Sequence, residues 1–282
     1  MKPSGRQSIV QGAVILTAST LIVKFVGALF KIPLANILGG VGMSYFVSAY
    51  DVLIPIYSMT VTGLGVAVSR MVSQQGEGNG SAASILKTAR VMFFIIGSCS
   101  AALLFFGAAP LTGLIGNPSA ALSVCCIAPS VLFSCLSSAY RGYFQGRQNM
   151  LPTAKSQILE ACVKLVAGIS AAWLIHSNLT ASAAAGTLGW PGTPQQIELR
   201  ILQYSAAGAV LGVSFSTLCG LLLIRSQYRK TRIDGRGRYS GAAAGQLCRI
   251  ALPIAATSLL AGLLSAVILL RFVRRSGAYL PN

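Results

Sequence analysis

Apolar residues along this chain come in long unbroken blocks rather than in alternation. Seven such runs stand out, at approximately 9–35, 43–69, 88–109, 119–140, 153–176, 201–224 and 247–271. A block of about 20 apolar residues is what an α-helix needs to cross a bilayer core. The pattern predicts an all-α, polytopic transmembrane helix bundle. Polar positions inside the first two runs are spaced, not scattered. The first run carries Thr17, Thr20, Lys24, Gly27 and Lys31, in steps of three and four. The second carries Ser44, Ser48, Asp51, Pro55, Ser58, Thr62, Gly65 and Ser69 at the same spacing. Steps of three and four trace one face of a helix. Each of two neighbouring helices therefore presents a small, hydroxylated stripe that includes ionisable groups.

Small and hydroxyl residues at this spacing are also what close helix packing needs. The lysines shift the balance. An ionised group at bilayer depth costs at least about 2.5–3.5 kcal/mol, so such groups face a cavity or a partner. Lys31 lies near the end of its run, within snorkelling reach of the headgroups. Lys24 lies nearer the middle and points to a hydrated cavity. Asp51 falls between the depths of the two lysines across the first hairpin. It is either the partner in a buried ion pair or a site for a coupling ion. Glu160 and Lys164, four apart in the fifth run, are expected to neutralise each other. His176, the single histidine, is expected at the interface.

Charge orients the helices. Among the segments that precede and join the runs, the N-terminus and the second, fourth and sixth connections hold nearly all the bases, for example Lys2, Arg6, Arg70, Lys87, Arg141, Arg147, Arg225 and Arg229. The first and third connections carry none, and the fifth, 177–200, only Arg200. Bases stay on the cytoplasmic side, so the N-terminus is expected inside and the fifth connection outside. Tyr140, Tyr143 and Phe144 are expected in the interfacial aromatic belt. The first run extends past a short apolar core without a small-residue cleavage site, so it reads as a retained helix rather than a signal peptide.

Composition agrees. The 282 residues are 54% hydrophobic and 10% charged, with 22 Lys+Arg against 5 Asp+Glu and a net charge of +17. In a soluble protein that excess would suggest nucleic acid. Bases set between apolar runs are better explained by retention and anionic lipid, and no nucleic-acid partner is expected. The seven cysteines show no metal-type spacing and read as free packing thiols. The acids Asp51, Glu77, Glu160, Glu198 and Asp234 are scattered, with no paired carboxylate and no histidine cluster. Nothing matches the acid, base or metal sets of membrane enzymes, so no catalytic residue, metal site or cofactor is expected. A coupling ion, H+ or Na+, or the membrane potential is the open alternative for a driving force. A cationic, hydroxylated interior suits an anionic or phosphate-bearing solute.

The segment "SSAYRGYFQGRQNMLPTAKSQILEACVKL" (137–165) resembles the signature of the stage V sporulation protein B family. These are polysaccharide-type members of the multidrug/oligosaccharidyl-lipid/polysaccharide exporter superfamily, related to the lipid II flippases. "FKIPLANILGGVGMSYFVSAYDVL" and "TGLGVAVSRMVSQ" in the first hairpin resemble it too. The resemblance implies a MATE-like flippase of two six-helix lobes that works by alternating access. Its cargo would be a polyprenyl-pyrophosphate-linked saccharide or peptidoglycan precursor, a lipid-linked anionic oligosaccharide moved across the plasma membrane. It also implies that Lys24, and Lys31 with a one-residue shift, line the central cavity. The relatives usually carry arginine there, and lysine binds phosphate less directionally. The candidate cavity residues are Lys24, Lys31, Asp51, Thr17, Thr20, Ser58 and Arg271. A cation-coupled drug or solute antiporter using Asp51, or a non-transporting envelope-assembly scaffold, are the alternatives.

The seventh run resembles the first in layout, with Arg249 at its entry and Arg271 near its far end. The expected division is a six-helix lobe over 1–240 and the first helix of a second lobe over 241–282. Arg271, Arg274 and Arg275 would then find their partners in further helices beyond Asn282. The oligomeric state is left open by the sequence.

Overall fold

A computed structural model describes residues 8–58, 61, 63–74, 79–187, 189–231, 239–251, 253 and 256–257. Every extended element among them is a helix. These are α1 (Ile9–Tyr57), α2 (Gly63–Gln74), α3 (Asn79–Phe106), α4 (Ala108–Leu114), α5 (Ala121–Gly146), α6 (Leu151–Ala184) and α7 (Pro194–Lys230). A short 3-10 turn, Pro118–Ala120, precedes α5, and α8 begins at 241. Five of the helices are long and apolar enough to cross a membrane.

The longest, α1, is two crossings joined at a glycine. Gly39 has φ 61° and ψ −171°, a backbone conformation open to glycine but strained for residues with a Cβ. The Phe30 and Phe46 rings lie 5.8 Å apart. Sixteen positions of straight helix would separate them by about 24 Å. The chain therefore folds back at Gly39, and the two arms of α1 are the first two apolar runs. The second run does not stay a regular α-helix up to 69. Pro55 lies inside it, and a proline removes an N–H and crowds the preceding turn. The regular α-helix ends at Tyr57, Ser58 and Val61 are π-helical, and the Ser58 hydroxyl donates to Pro55 O at 2.9 Å. The helix resumes as α2 at Gly63. Thr62 of the expected stripe lies outside the described residues.

The later helices overrun their apolar blocks by a turn or more. The expected fifth connection, 177–200, is mostly helical, and only 185–193 links α6 to α7. Local chemistry sets the start of α7. Thr193 and Gln196 form a capping box, with the Thr193 N–H donating to Gln196 Oε1 at 3.2 Å, and Pro194 occupies the first turn. For the seventh run, helix is described from 241 to 251; Arg271, Arg274 and Arg275 lie outside the described residues.

The core is built around α5 and α7. Ile127, Val131 and Tyr143 of α5 and Val210 and Ile224 of α7 are fully buried, against Phe30 and Leu34 of α1 and Phe93 of α3. Outward positions of α1 such as Val14, Leu21 and Phe25 are exposed and apolar, as a lipid-facing wall requires. Tyr140, Tyr143 and Phe144 are not an interfacial belt. They are 2%, 0% and 2% exposed; Tyr140 and Tyr143 pack beside Tyr228 and Phe144 against Tyr143, with Arg90 5.5 Å from the Tyr140 ring centroid. Arg147 donates to the Tyr143 hydroxyl at 3.1 Å. All seven cysteines are free thiols.

One crossing depends on the absence of side chains. A Cβ on Gly212 of α7 would sit 2.5 Å from the Gly168 Cα and N of α6. Backbone cannot move aside as a side-chain tip can, so α6 and α7 would have to separate. Gly212→Ala is expected to lower the thermal midpoint by about 5 °C or more. Gly113→Ala, whose added Cβ meets nothing within 4 Å, is the control that should melt with the wild type. Equal midpoints for both variants would show that the crossing tolerates a methyl group.

Candidate substrate groove

The hairpin at Gly39 brings the two polar stripes together. A groove of about 520 Å³ is lined by Lys24 and Lys31 from the first arm, Tyr50 and Asp51 from the second, and Lys164 from α6. Phe30 and Phe46 form part of its apolar wall. Three lysines thus share one recess with a single aspartate. Among the described residues no cation lies within ion-pair distance of Asp51, so the expected lysine–aspartate pair does not form in this state. A smaller chamber of about 240 Å³ adjoins the groove through Gly27, Phe30 and Lys164; Thr20, Arg141, Gln157 and Glu160 are its other polar lining residues, beside Val23, Val26 and Ala161.

Lys164 is held by aromatic faces. Its ammonium lies 5.2 Å from the Phe30 ring centroid and 5.3 Å from that of Tyr50. Such contacts contribute about 0.5–2 kcal/mol and keep a cation in place without cancelling its charge. The expected Glu160–Lys164 pair is replaced by another. Glu160 Oε2 accepts from Arg141 Nη2 at 2.7 Å, and Arg141 Nε donates to the Ser156 hydroxyl at 3.3 Å. Arg141, expected to hold a loop on the cytoplasmic side, reaches from α5 to α6. Glu160 being engaged with Arg141, Lys164 has no ion-pair partner among the described residues.

The remaining sequence candidates divide. Thr20 lines the smaller chamber and donates to Leu16 O at 2.8 Å. Thr17 is exposed on α1, outside the lining of either cavity. Ser58, whose hydroxyl donates to Pro55 O, lines neither. Ser44 and Ser48 accept from Asn117 Nδ2 at 3.5 and 3.0 Å, and Gly65 packs on Ser138. That part of the second stripe serves packing. Arg271 lies outside the described residues. Sequence reasoning missed Arg141, Gln157 and the aromatic residues Phe30 and Tyr50. A signal existed for α6, where Gln157, Glu160 and Lys164 repeat the same three-and-four spacing.

Helix content, hairpin and groove can be set beside known proteins. The family model for "Polysaccharide biosynthesis protein" matches residues 9–267. The chain belongs to that family. Among curated proteins of Bacillus subtilis, it is 30% identical to the uncharacterized membrane protein YabM over 190 residues, covering 65% of this chain and 35% of that protein. It is 25% identical to stage V sporulation protein B over 233 residues, covering 80% of this chain and 40% of the relative. It is 26% identical to the lipid II flippase MurJ over 178 residues, covering 59% and 33%. The chain therefore spans about a third to two-fifths of these relatives' lengths. A solved MOP superfamily transporter from Pyrococcus furiosus superposes with a TM-score of 0.60 at 14% identity, covering 90% of this chain and 54% of that one. At that identity the likeness shows the fold alone; with five helices long and apolar enough to cross a membrane, this polysaccharide biosynthesis family member is a multi-pass membrane protein.

Proposed function

We propose that the protein is a flippase that moves a polyprenyl-pyrophosphate-linked saccharide or peptidoglycan precursor across the cytoplasmic membrane by alternating access. The observation that carries this reading is the groove. Lys24, Lys31 and Lys164 line one recess inside an apolar bundle, opposed by Asp51 alone. Ammonium groups make charge-assisted hydrogen bonds to phosphate, about twice as strong as neutral ones. An isolated neutral solute would not need them. The relatives named as a lipid II flippase and as a sporulation protein support a lipid-linked cell-envelope precursor as cargo. In this reading residues 1–240 form a six-helix lobe, and 241–282 begin a second lobe that supplies the facing wall. The decisive experiment is a headgroup-flipping assay in liposomes, using the protein expressed from its natural reading frame. A fluorescent lipid-linked precursor should exchange leaflets, and a cationic dye should not be transported.

A second reading rests on Asp51, which lines the groove without an ion-pair partner among the described residues. A carboxylate so placed could hold H+ or Na+ in a cation-coupled antiporter. Transport of the dye but not of the lipid would favour it.

Orientation has its own test. With the bases retained inside, the α6–α7 link is external and the start of α8 cytoplasmic. Single cysteines at Ser182→Cys and Ser240→Cys, in a background lacking the native seven, are to be exposed to an impermeant thiol reagent on intact cells. The first is expected to react and the second to stay unlabelled. The reverse pattern would invert the topology.

A further inference from the structure

The groove and the smaller chamber share a wall but differ in electrostatics. The groove sets Lys24, Lys31 and Lys164 against Asp51. In the chamber, which Lys164 borders from the shared wall, the Arg141 charge is already matched by Glu160 at 2.7 Å, and the Glu160 carboxylate would repel a phosphate placed beside it. The chamber offers instead a mixed set of donors and acceptors. Glu160 keeps lone pairs beyond its bond to Arg141, the Gln157 amide both donates and accepts, and the Thr20 hydroxyl, donating to Leu16 O, still accepts. Phe30 adds an apolar face. Closely spaced donors and acceptors beside an aromatic ring match a hydroxylated sugar, which carries hydroxyls at its rim and C–H groups on its faces. The groove holds a second sign of an absent ligand. The Tyr50 hydroxyl is buried and makes no hydrogen bond among the described residues. A buried hydroxyl without a partner is costly, and Tyr50 stands on the groove wall beside Lys164.

We propose that the smaller chamber is a sugar subsite. The ligand lies with its phosphates in the groove, against the lysines and the Tyr50 hydroxyl, and with its first sugar in the chamber between Thr20, Gln157 and Glu160. Lys164, at the shared wall, meets the bridging oxygen between them. This rests on the proposed function and adds to it a direction for the cargo and a neutral, hydroxylated sugar next to the phosphate.

The test uses the purified full chain in lipid nanodiscs. It is titrated with a polyprenyl diphosphate and with the same lipid carrying one hexose. The sugar-bearing lipid is expected to bind the wild type about tenfold more tightly, the worth of one or two net hydrogen bonds. Gln157→Ala and Thr20→Val should each bring that ratio towards one. Tyr50→Phe keeps the ring and its contact with Lys164, and should weaken both lipids by a similar factor. Equal wild-type affinity for the two lipids would overturn the sugar subsite while leaving the phosphate groove standing. A Tyr50→Phe effect confined to the sugar-bearing lipid would overturn the orientation. If neither lipid binds, the flippase reading falls and the subsite with it.

Discussion

Lys24→Ala is expected to reduce transport by one to two orders of magnitude without lowering the amount of protein in the membrane. Lys24 sits mid-way along the first arm of α1, exposed to the groove and not to the core. No packing is lost with its ammonium, and removing a charge from bilayer depth makes insertion easier, not harder. What is lost is one charge-assisted contact to an anion, about 1.5–3 kcal/mol, which corresponds to roughly 10- to 150-fold. Lys24→Arg keeps the charge and should retain part of the activity, because the longer planar group changes geometry rather than sign. Lipid exchange measured in proteoliposomes, with protein quantified in the same membranes, separates the two effects. Normal exchange by Lys24→Ala would assign the residue to packing or to the lipid interface.

The membrane makes much of this architecture readable from sequence. A crossing helix must satisfy its backbone internally and present apolar side chains over its whole length, so each helix writes its own signal in the chain. The three-and-four spacing of Thr20, Lys24, Gly27 and Lys31 likewise survives into the structure as one face of α1. What the sequence conceals is which faces meet. Glu160 and Lys164 are neighbours on one helix, so a local rule pairs them. The structure prefers Arg141, nineteen positions away on another helix, because α5 and α6 pack with that guanidinium between them. Tyr140 and Tyr143 mislead for a related reason. The same amphipathic rings suit an interface or a core, and only the arrival of Tyr228 from α7 decides for the core. By its spacing Pro55 reads only as a position of the polar stripe; hydropathy averages over the change from α- to π-helix that follows it.

The Arg141–Glu160 pair carries the second large effect. Its side chains are only 16% and 26% exposed, so removing one partner strands the other in a largely desolvated site. Loss of one member of a buried pair costs about 3–5 kcal/mol when burial is complete. With this residual exposure the lower end, about 3 kcal/mol, is expected for Arg141→Ala. Replacing both residues, as in Arg141→Met with Glu160→Met, removes the unpaired charge as well as the bond. A buried pair exchanged for apolar side chains of similar volume is often neutral or stabilising, so the double variant should melt near the wild type while Arg141→Ala melts well below it. Function should not follow stability. The double variant fills the wall of the smaller chamber with methyl groups and takes away its carboxylate, so it should fold yet transport poorly. Thermal midpoints and lipid exchange measured on the same preparations decide the point. Full transport by the double variant would reduce the pair to scaffolding, and a double variant as unstable as the single would show that the pair contributes net stability to the bundle.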